Sequence, residues 1–174
     1  RIWQRDPQMG MQRLEDLREL TRGALAEMRA LLLELRPATL TETSLGDLLR
    51  QLREAFVGRA RLTIDLVVDG ERPLPPDVQI AFYRIAQEAL HNVTKHAGAD
   101  AVIIRLQFTP EWVQLEIEDN GRGFNVRDIP PNSFGVGIMR ERAEKIGATI
   151  QIESEIGEGT TITVCWQLEE TNHE

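Results

Sequence analysis

The first feature of the chain is a stripe of mostly apolar residues that recur at alternating steps of three and four positions. They are Leu14, Leu17, Thr21, Ala24, Met28, Leu31 and Leu35. This heptad spacing predicts one long helix from Pro7 to Arg36. A single helix cannot bury such a stripe alone, so it either packs on its own domain or belongs to a bundle or dimer. We favour the bundle or dimer, because the stripe ends at Pro37, before the compact part begins.

After residue 36 the chain alternates between helical and extended patterns. A short connector, Pro37 to Thr43, precedes a helix that Ser44 can cap and that ends near Gly58. Predicted strands have apolar residues at every second position, whereas predicted helices have them at three- and four-residue steps. The remaining predicted elements are a strand at Arg61 to Val68, a proline turn at 73–76, a helix at Phe82 to Ala97 stopped by Gly98, strands at Ala101 to Phe108 and Val113 to Glu118, a helix at Gly135 to Ile146, and strands at Thr149 to Glu153 and Thr160 to Leu168.

Two pairs of predicted strands are joined by tight turns. One pair turns near Thr109, and the last pair turns through Gly-Glu-Gly at 157–159. A Rossmann-type sheet would need strands and helices to alternate throughout, and the two hairpins argue against it. The pattern therefore predicts an α+β fold, a two-layer sandwich in which helices cover one face of a mixed, mostly antiparallel sheet.

Composition narrows the possible functions. The 174 residues include 28 acidic and 20 basic side chains, and the net charge of −8 argues against a nucleic-acid partner. Cys165 lies in an alternating apolar run, so we expect a buried small side chain in a reducing compartment. No apolar run reaches the length of a membrane span. We expect a cytoplasmic fragment without membrane contact. Because it begins with Arg1, we expect it to be cut from a longer protein, which could be membrane-anchored.

The predicted helix from Phe82 to Ala97 has a polar edge beside its apolar face. Glu88, Asn92, Lys95 and His96 share this edge at three- and four-residue spacing. The amide oxygen of Asn92 suits Mg²⁺, and Glu88, one turn earlier, could activate a water or a hydroxyl. Lys95 and His96 could supply positive charge to phosphates. Taken alone, however, such an edge is more often a solvated helix surface.

Glycine-rich segments suggest close contact between backbone and ligand. In DNGRGF at 119–124, Gly121 and Gly123 permit positive φ, and Asp119 can accept a hydrogen bond from an exocyclic amine. The alternative is a tight hairpin turn, but a loop and a helix follow. Gly135 and Gly137 lie at the start of that helix, whose free amides could bind a phosphate, although this signal is weak alone.

Four motifs follow one another along the chain. They are E-x-x-H-N-x-x-K-H at 88–96, D-N-G-R-G-F at 119–124, F-G-V-G-I-M-R-E-R at 134–142 and G-E-G-T at 157–160. Together they resemble the N box and the three glycine boxes of the ATP-binding domain of two-component sensor histidine kinases. That domain belongs to the superfamily of gyrase, the ninety-kilodalton heat-shock chaperone and mismatch-repair ATPases. The likeness spans Ser44 to Leu168 and is greatest to the nitrate/nitrite-sensor type.

The resemblance implies a division into two parts. Residues 38–174 would form the ATP-binding catalytic domain with the Bergerat fold, and residues 1–37 would be the second helix of a dimerisation and phosphotransfer domain. It implies ATP and Mg²⁺ as cofactors. It also implies a response-regulator receiver domain as a partner, and a homodimer formed through the N-terminal helix of the full protein.

At the base end of the ATP site, the resemblance implies that Asp119 hydrogen-bonds the adenine amine. Gly121 and Gly123 would shape the pocket, and Thr160 would support the base through water. Over the triphosphate, Gly135 would let a lid close. Gly137 fits this role less well, because that position varies among relatives, and Ser133 stands where many relatives have histidine.

At the phosphate end, the resemblance implies that Asn92 holds Mg²⁺ and that Glu88 polarises the phosphate acceptor. Lys95 and His96 would face the phosphates or their lid. The family phosphorylates a histidine on the first helix of the dimerisation domain. His91 and His96 belong to the N box and His173 lies in a polar tail, so we expect the acceptor upstream of Arg1.

The predicted function is transfer of the ATP γ-phosphoryl group to that histidine, for relay to an aspartate of a response regulator. Three alternatives stay open at this point. They are a non-catalytic, nucleotide-gated dimerisation module, a serine kinase of the anti-sigma-factor type, and a plain structural α+β domain.

Overall fold

The computed structural model describes residues 9–11, 13–14, 21, 37–57, 62–126 and 134–168. The helix predicted over 7–36 lies outside the described residues, apart from those few positions, and the division at residue 37 stays a prediction. Four helices and five strands follow. They are α1 (Pro37–Glu42), α2 (Leu45–Val57), β1 (Thr63–Asp69), α3 (Pro76–Asn92), a π-helical turn (Val93–Ala97), β2 (Ala101–Phe108), β3 (Trp112–Asp119), α4 (Phe134–Lys145), β4 (Thr149–Glu155) and β5 (Gly159–Gln167).

The strands form one sheet in the order β1-β2-β3-β5-β4. Only β1 and β2 pair in parallel, and the other three pairs are antiparallel. The predicted hairpins, β2 with β3 and β4 with β5, are therefore confirmed. The pairing of β3 with β5 is less local, because α4 and β4 lie between them in the chain. It sets Asp119 opposite Thr160.

Helices cover one face of the sheet, which confirms the two-layer α+β fold. Helices α2, α3 and α4 pack against the strands and against one another. The core between the layers is made of fully buried apolar side chains. They include Leu48, Leu49, Phe82, Ile85, Leu90, Ile104, Leu115, Met139 and Val164. On the opposite face the side chains are mostly polar, and Arg105 forms ion pairs there with Glu116 and Glu118.

Two local predictions at helix ends are confirmed. The Ser44 hydroxyl accepts a hydrogen bond from the Asp47 backbone N–H at 3.3 Å, which caps α2. Gly98 ends the α3 segment in the left-handed conformation, at φ 62°. Helix α3 begins earlier than predicted, at Pro76, since proline fits the first helical turn.

The prediction of a connector from Pro37 to Thr43 is wrong, because residues Pro37–Glu42 form helix α1. So short a helix has no stability of its own and depends on tertiary contacts. Leu40 is buried, and the buried Gln79 amide of α3 donates hydrogen bonds to the Leu40 and Thr43 carbonyls, the latter at 2.8 Å. This side chain joins α1 to α3.

The expected burial of Cys165 is also wrong. Cys165 is half-buried and lies on the helix-free face of the sheet, in register with Thr149 on one side and Gln114 on the other. Partial desolvation raises the pKa of its thiol. The alternation of β5 was predicted correctly. The side chains that face the helices, however, are Thr160, Ile162 and Val164, and Cys165 belongs to the side chains that face the other way.

The Gln79 contact predicts a measurable effect on stability. Gln79→Leu keeps the volume of the side chain but removes the donor to two carbonyls, and should lower the free energy of unfolding by about 1 to 3 kcal/mol. Chemical denaturation measures this change. Gln107→Leu, at an exposed position on β2, is the control and should change stability by less than about 0.5 kcal/mol. Equal stability of the two variants would contradict the role of Gln79.

Candidate functional site

A cavity of about 400 Å³ opens where the end of α3, the sheet and the start of α4 meet. Its wall is mostly apolar. Helix α3 and its π-helical turn contribute Ala89, Asn92, Val93, His96 and Ala97; the strands contribute Ile117, Asp119, Ile152, Thr160 and Ile162; the loop after β3 contributes Arg122, Gly123 and Phe124; and α4 contributes Gly135, Val136 and Met139.

Asp119 and Thr160 form the polar part of this wall on the side of the sheet. Strand alternation places Asp119 on the same face as the buried residues Leu115 and Ile117, at the position where the next core residue would stand. Thr160 likewise continues the inward set of β5. Because the two residues are in register, the core face of the sheet ends in a carboxylate beside a hydroxyl.

The Asp119 carboxylate is only 7% exposed, and this burial raises its pKa. Hydrogen bonding acts in the opposite direction. The Gly121 backbone N–H donates to the carboxylate at 2.8 Å, and the neighbouring Thr160 also acts to lower the pKa. Burial has the larger effect on the pKa. The hydrogen bonds to the carboxylate therefore replace only part of the hydration that it has lost.

The loop from Asp119 to Gly123 is held by the backbone on both sides. The Arg122 N–H donates to the Ala97 carbonyl at 2.9 Å, and the Gly157 N–H donates to the Arg122 carbonyl at 2.8 Å. Gly123 has φ +56°, and a Cβ atom there would lie 1.9 Å from the Glu155 carbonyl oxygen. Only glycine fits this position, so the loop is pressed against the β4–β5 turn.

Glu88 and Asn92 both lie against Gly135 at the start of α4; Asn92 lines the cavity and Glu88 does not. A Cβ atom on Gly135 would lie 2.7 Å from Glu88 Oε1 and 3.1 Å from Asn92 Oδ1. The first turn of α4 therefore lies directly on these two side chains, and a side chain at position 135 would displace them. Glycine at position 135 leaves room for both side chains next to the backbone at the start of α4.

The donor set at this end fits Mg²⁺. Among the described residues no group of three or more His, Cys, Asp or Glu side chains could hold a metal ion. Asn92 Oδ1 and Glu88 Oε1 are hard oxygen donors close to the same glycine. Mg²⁺ takes one or two protein oxygens and completes its shell with waters and phosphate oxygens, so the pair suits it.

The π-helical turn decides how the other predicted residues lie. A regular α-helix would place Lys95 and His96 on the same edge as Asn92. The wider π-helical turn that begins at Val93 changes the direction in which the later side chains point. His96 lines the cavity, whereas Lys95 is exposed and outside its wall. Gly121 donates its N–H to Asp119 without lining the wall, and Gly137, two residues after Gly135 in α4, does not line the wall either.

Sequence reasoning missed several residues that build the site. The Asn120 side chain accepts hydrogen bonds from the Asp100 and Ala101 backbone N–H groups, both at 3.0 Å, and so ties the loop to the start of β2. The Asn-Gly pair signalled only a turn. The apolar wall residues Ile152 and Met139 were not singled out, because periodicity does not distinguish a core face from a cavity wall.

Of the helices that the structure describes, none is both long and apolar enough to cross a bilayer.

The fold is similar to that of solved domains from histidine kinases. The ATP-binding domain of PrrB from Mycobacterium tuberculosis superposes with a TM-score of 0.58 at 21% sequence identity. The likeness covers 74% of this chain and 96% of that chain. At such low identity this comparison bears on the fold alone.

The sequence establishes the family. The model of the family described as histidine kinase-, DNA gyrase B-, and HSP90-like ATPase matches residues 77–170, which is more than half of the chain. The chain belongs to this family, as the four motifs predicted, and the nucleotide of the family is ATP. The narrower likeness to nitrate/nitrite sensors stays a prediction.

Curated relatives are similar over most of this chain. Sensor protein VraS of Staphylococcus saprophyticus is 38% identical over 154 residues, which are 88% of this chain and 44% of that protein. Sensor histidine kinase LiaS of Bacillus subtilis is 36% identical over 155 residues, which are 88% of this chain and 42% of that protein. The chain thus spans less than half the length of these relatives.

The raised pKa of Asp119 predicts a pH dependence of stability. Above its ordinary value of 3.8 and below the raised value, folded chains hold a proton that unfolded chains have lost. The contribution of Asp119 to the free energy of unfolding is full below 3.8 and falls as pH rises through the folded pKa. The free energy of unfolding of Asp119→Asn minus that of the unaltered protein should therefore rise over this window and then level off.

Chemical denaturation at several pH values between about 4 and 8 measures this difference. Asp69→Asn, which removes an exposed carboxylate at the end of β1, is the matched control. A difference for Asp119→Asn that does not change with pH would show that the carboxylate titrates at its ordinary pKa in the folded protein.

Proposed function

We propose that this chain is the ATP-binding catalytic part of a sensor histidine kinase. It transfers the γ-phosphoryl group of ATP to a histidine on a separate helix, for relay to an aspartate of a response regulator. The observation that supports this most strongly is the buried Asp119 carboxylate in the wall of a mostly apolar cavity. At the α4 end of that cavity, Asn92 and Glu88 both lie against Gly135.

The end of the cavity at Asp119 and Thr160, called the base end below, suits adenine. The apolar side chains Ile117, Met139, Ile152 and Ile162 surround a flat ring, and Asp119 accepts a hydrogen bond from its exocyclic amine. Gly121 and Gly123 keep the loop close enough to shape the pocket, and Thr160 stands beside Asp119 to support the base. A purine with a carbonyl in place of the amine would face the carboxylate with a second acceptor.

The α4 end of the cavity suits the phosphates. Asn92 holds Mg²⁺, which when bound neutralises phosphate charge and orients the triphosphate. Glu88 accepts a hydrogen bond from the N–H of the attacking imidazole and so polarises the phosphate acceptor. His96 lies in the wall and Lys95 at the exposed rim, where both meet phosphate charge. Gly135, with Gly137 two residues further along α4, leaves the backbone N–H groups at the start of this helix open to the phosphates.

The acceptor histidine belongs to another segment. His91 contacts the Phe56 ring edge-on at 5.2 Å between ring centroids, and His96 lines the nucleotide cavity itself. His173 lies outside the described residues. We therefore assign the acceptor to a helix outside residues 1–174, in a homodimer that residues 1–37 help to form. The sensor relatives support a response-regulator receiver domain as the partner.

The first test concerns nucleotide binding. A hydrogen bond to a charged group contributes about 1.5 to 3 kcal/mol, so Asp119→Ala should weaken the affinity for a non-hydrolysable ATP analogue about ten- to 150-fold. Isothermal titration measures the dissociation constant. Asp69→Ala, at the far end of β1, should bind like the unaltered protein. Unchanged affinity of Asp119→Ala would refute the assignment of this cavity to the base.

The second test concerns phosphoryl transfer. A separate dimerisation domain from a relative, containing the acceptor histidine, is added with Mg-ATP. Glu88→Gln should slow transfer about 10²- to 10⁴-fold with nucleotide affinity nearly unchanged, and Asn92→Ala should abolish the Mg²⁺ dependence of binding. Glu54→Gln, an exposed residue of α2, is the control. Acid-labile product identifies phosphohistidine, whereas acid-stable product, or transfer that survives both variants, would contradict the proposal.

A further inference from the structure

Ser154 lies behind the cavity wall on strand β4. It belongs to the inward set of β4, with Ile150 and Ile152, and it is half-buried. Strand pairing sets it directly opposite Thr160. It does not line the cavity assigned to ATP, but it borders a second hollow on the other side of the wall, with Val126, Glu155 and Gly159. Its hydroxyl therefore contacts residues of the cavity wall without lining the cavity itself.

The Ser154 hydroxyl joins the two segments that form the base end. It accepts a hydrogen bond from the Phe124 backbone N–H at 3.0 Å, which holds the loop after β3. It donates to the Gly159 carbonyl at 2.8 Å, which holds the start of β5. It also lies 3.2 Å from the Thr160 hydroxyl oxygen. Both Phe124 and Thr160 line the cavity.

The number of hydroxyl hydrogens fixes how these groups bond. Ser154 and Thr160 have one hydroxyl hydrogen each. Ser154 uses its own hydrogen for the Gly159 carbonyl, and the Phe124 N–H already occupies one of its acceptor positions. The 3.2 Å hydrogen bond between the two hydroxyls is then one in which Thr160 donates to Ser154. Ser154 thus fixes the hydroxyl of Thr160, the residue in register with Asp119 on the neighbouring strand.

We propose that Ser154 is a positioning residue for recognition of the purine base, acting through Thr160 and the loop after β3 to hold the Asp119 carboxylate in place for the exocyclic amine. The proposal rests on the proposed function of the cavity. Ser154 touches no part of the ligand. Its effect is confined to the base end, because Asn92, Glu88 and Gly135 make none of these contacts.

The test compares two nucleotides that differ at the base. Inosine triphosphate has a carbonyl where adenine has its amine, and its phosphates are the same as those of ATP. Ser154→Ala should weaken ATP binding about three- to tenfold, the range for loss of a neutral hydrogen bond, and should change the affinity for inosine triphosphate less than twofold. Preference for ATP over inosine triphosphate should therefore fall. Ser154→Thr, which keeps the hydroxyl, should restore it.

Two further variants make the result specific. Thr163→Ala, on the opposite face of β5, should keep the full preference for ATP. In an Asp119→Ala background, Ser154→Ala should cause no additional loss, because the group it positions is gone. Thermal denaturation of each variant checks that it is folded at the titration temperature. Should Ser154→Ala prove unfolded there, Ser154→Cys replaces it in the same comparison.

Equal losses for ATP and inosine triphosphate, or an undiminished loss in the Asp119→Ala background, would overturn the inference, since Ser154 would then be merely structural. These results leave the proposed function intact. If Asp119→Ala itself binds ATP like the unaltered protein, the assignment of the cavity fails, and that outcome is recognised without any Ser154 variant.

Discussion

The site depends on the burial of one carboxylate at the end of a hydrophobic face. Asp119 occupies the next inward position after Leu115 and Ile117, where the pleat of β3 offers only the core. Removing an ionised group from water is costly unless donors replace the solvent. Gly121 and Thr160 supply part of that replacement, and burial still raises the pKa of the carboxylate. Under the proposed function, the amine of the ligand would supply a further donor to this carboxylate.

The backbone around Asp119 is arranged to keep this carboxylate fixed. Arg122 is bonded to Ala97 at the end of the α3 segment and to Gly157 in the β4–β5 turn, and Asn120 holds the start of β2. Three connections that are far apart in sequence therefore meet in one loop. The Arg122 contacts involve main-chain atoms and the Asn120 contacts involve its side-chain oxygen, and a Cβ atom on Gly123 would collide with the Glu155 carbonyl.

The two ends of the cavity are built on different principles. At the base end, sheet pairing and a short loop define the position of an acceptor. At the phosphate end, two polar side chains of α3 are held against the first turn of α4 by the absence of a side chain on Gly135. Family membership agrees with both ends, since the matched residues 77–170 include each of these elements. The exposed Lys95 beside the cavity is a basic side chain in a protein with a net charge of −8.

The sequence by itself determined the features that are local. Alternation identified the strands, the hairpin turns fixed their antiparallel partners, and Ser44 and Gly98 marked helix ends through bonds to nearby backbone. The motifs identified the family, because each needs particular residue types at fixed spacing. Only the tertiary structure decided what depends on distant contacts. The Gln79 amide stabilises α1, pairing of β3 with β5 sets Asp119 opposite Thr160 and brings Ser154 behind them, and the π-helical turn separates Lys95 from His96. These features follow from register and packing between segments that lie far apart along the chain, and no local pattern contains that information.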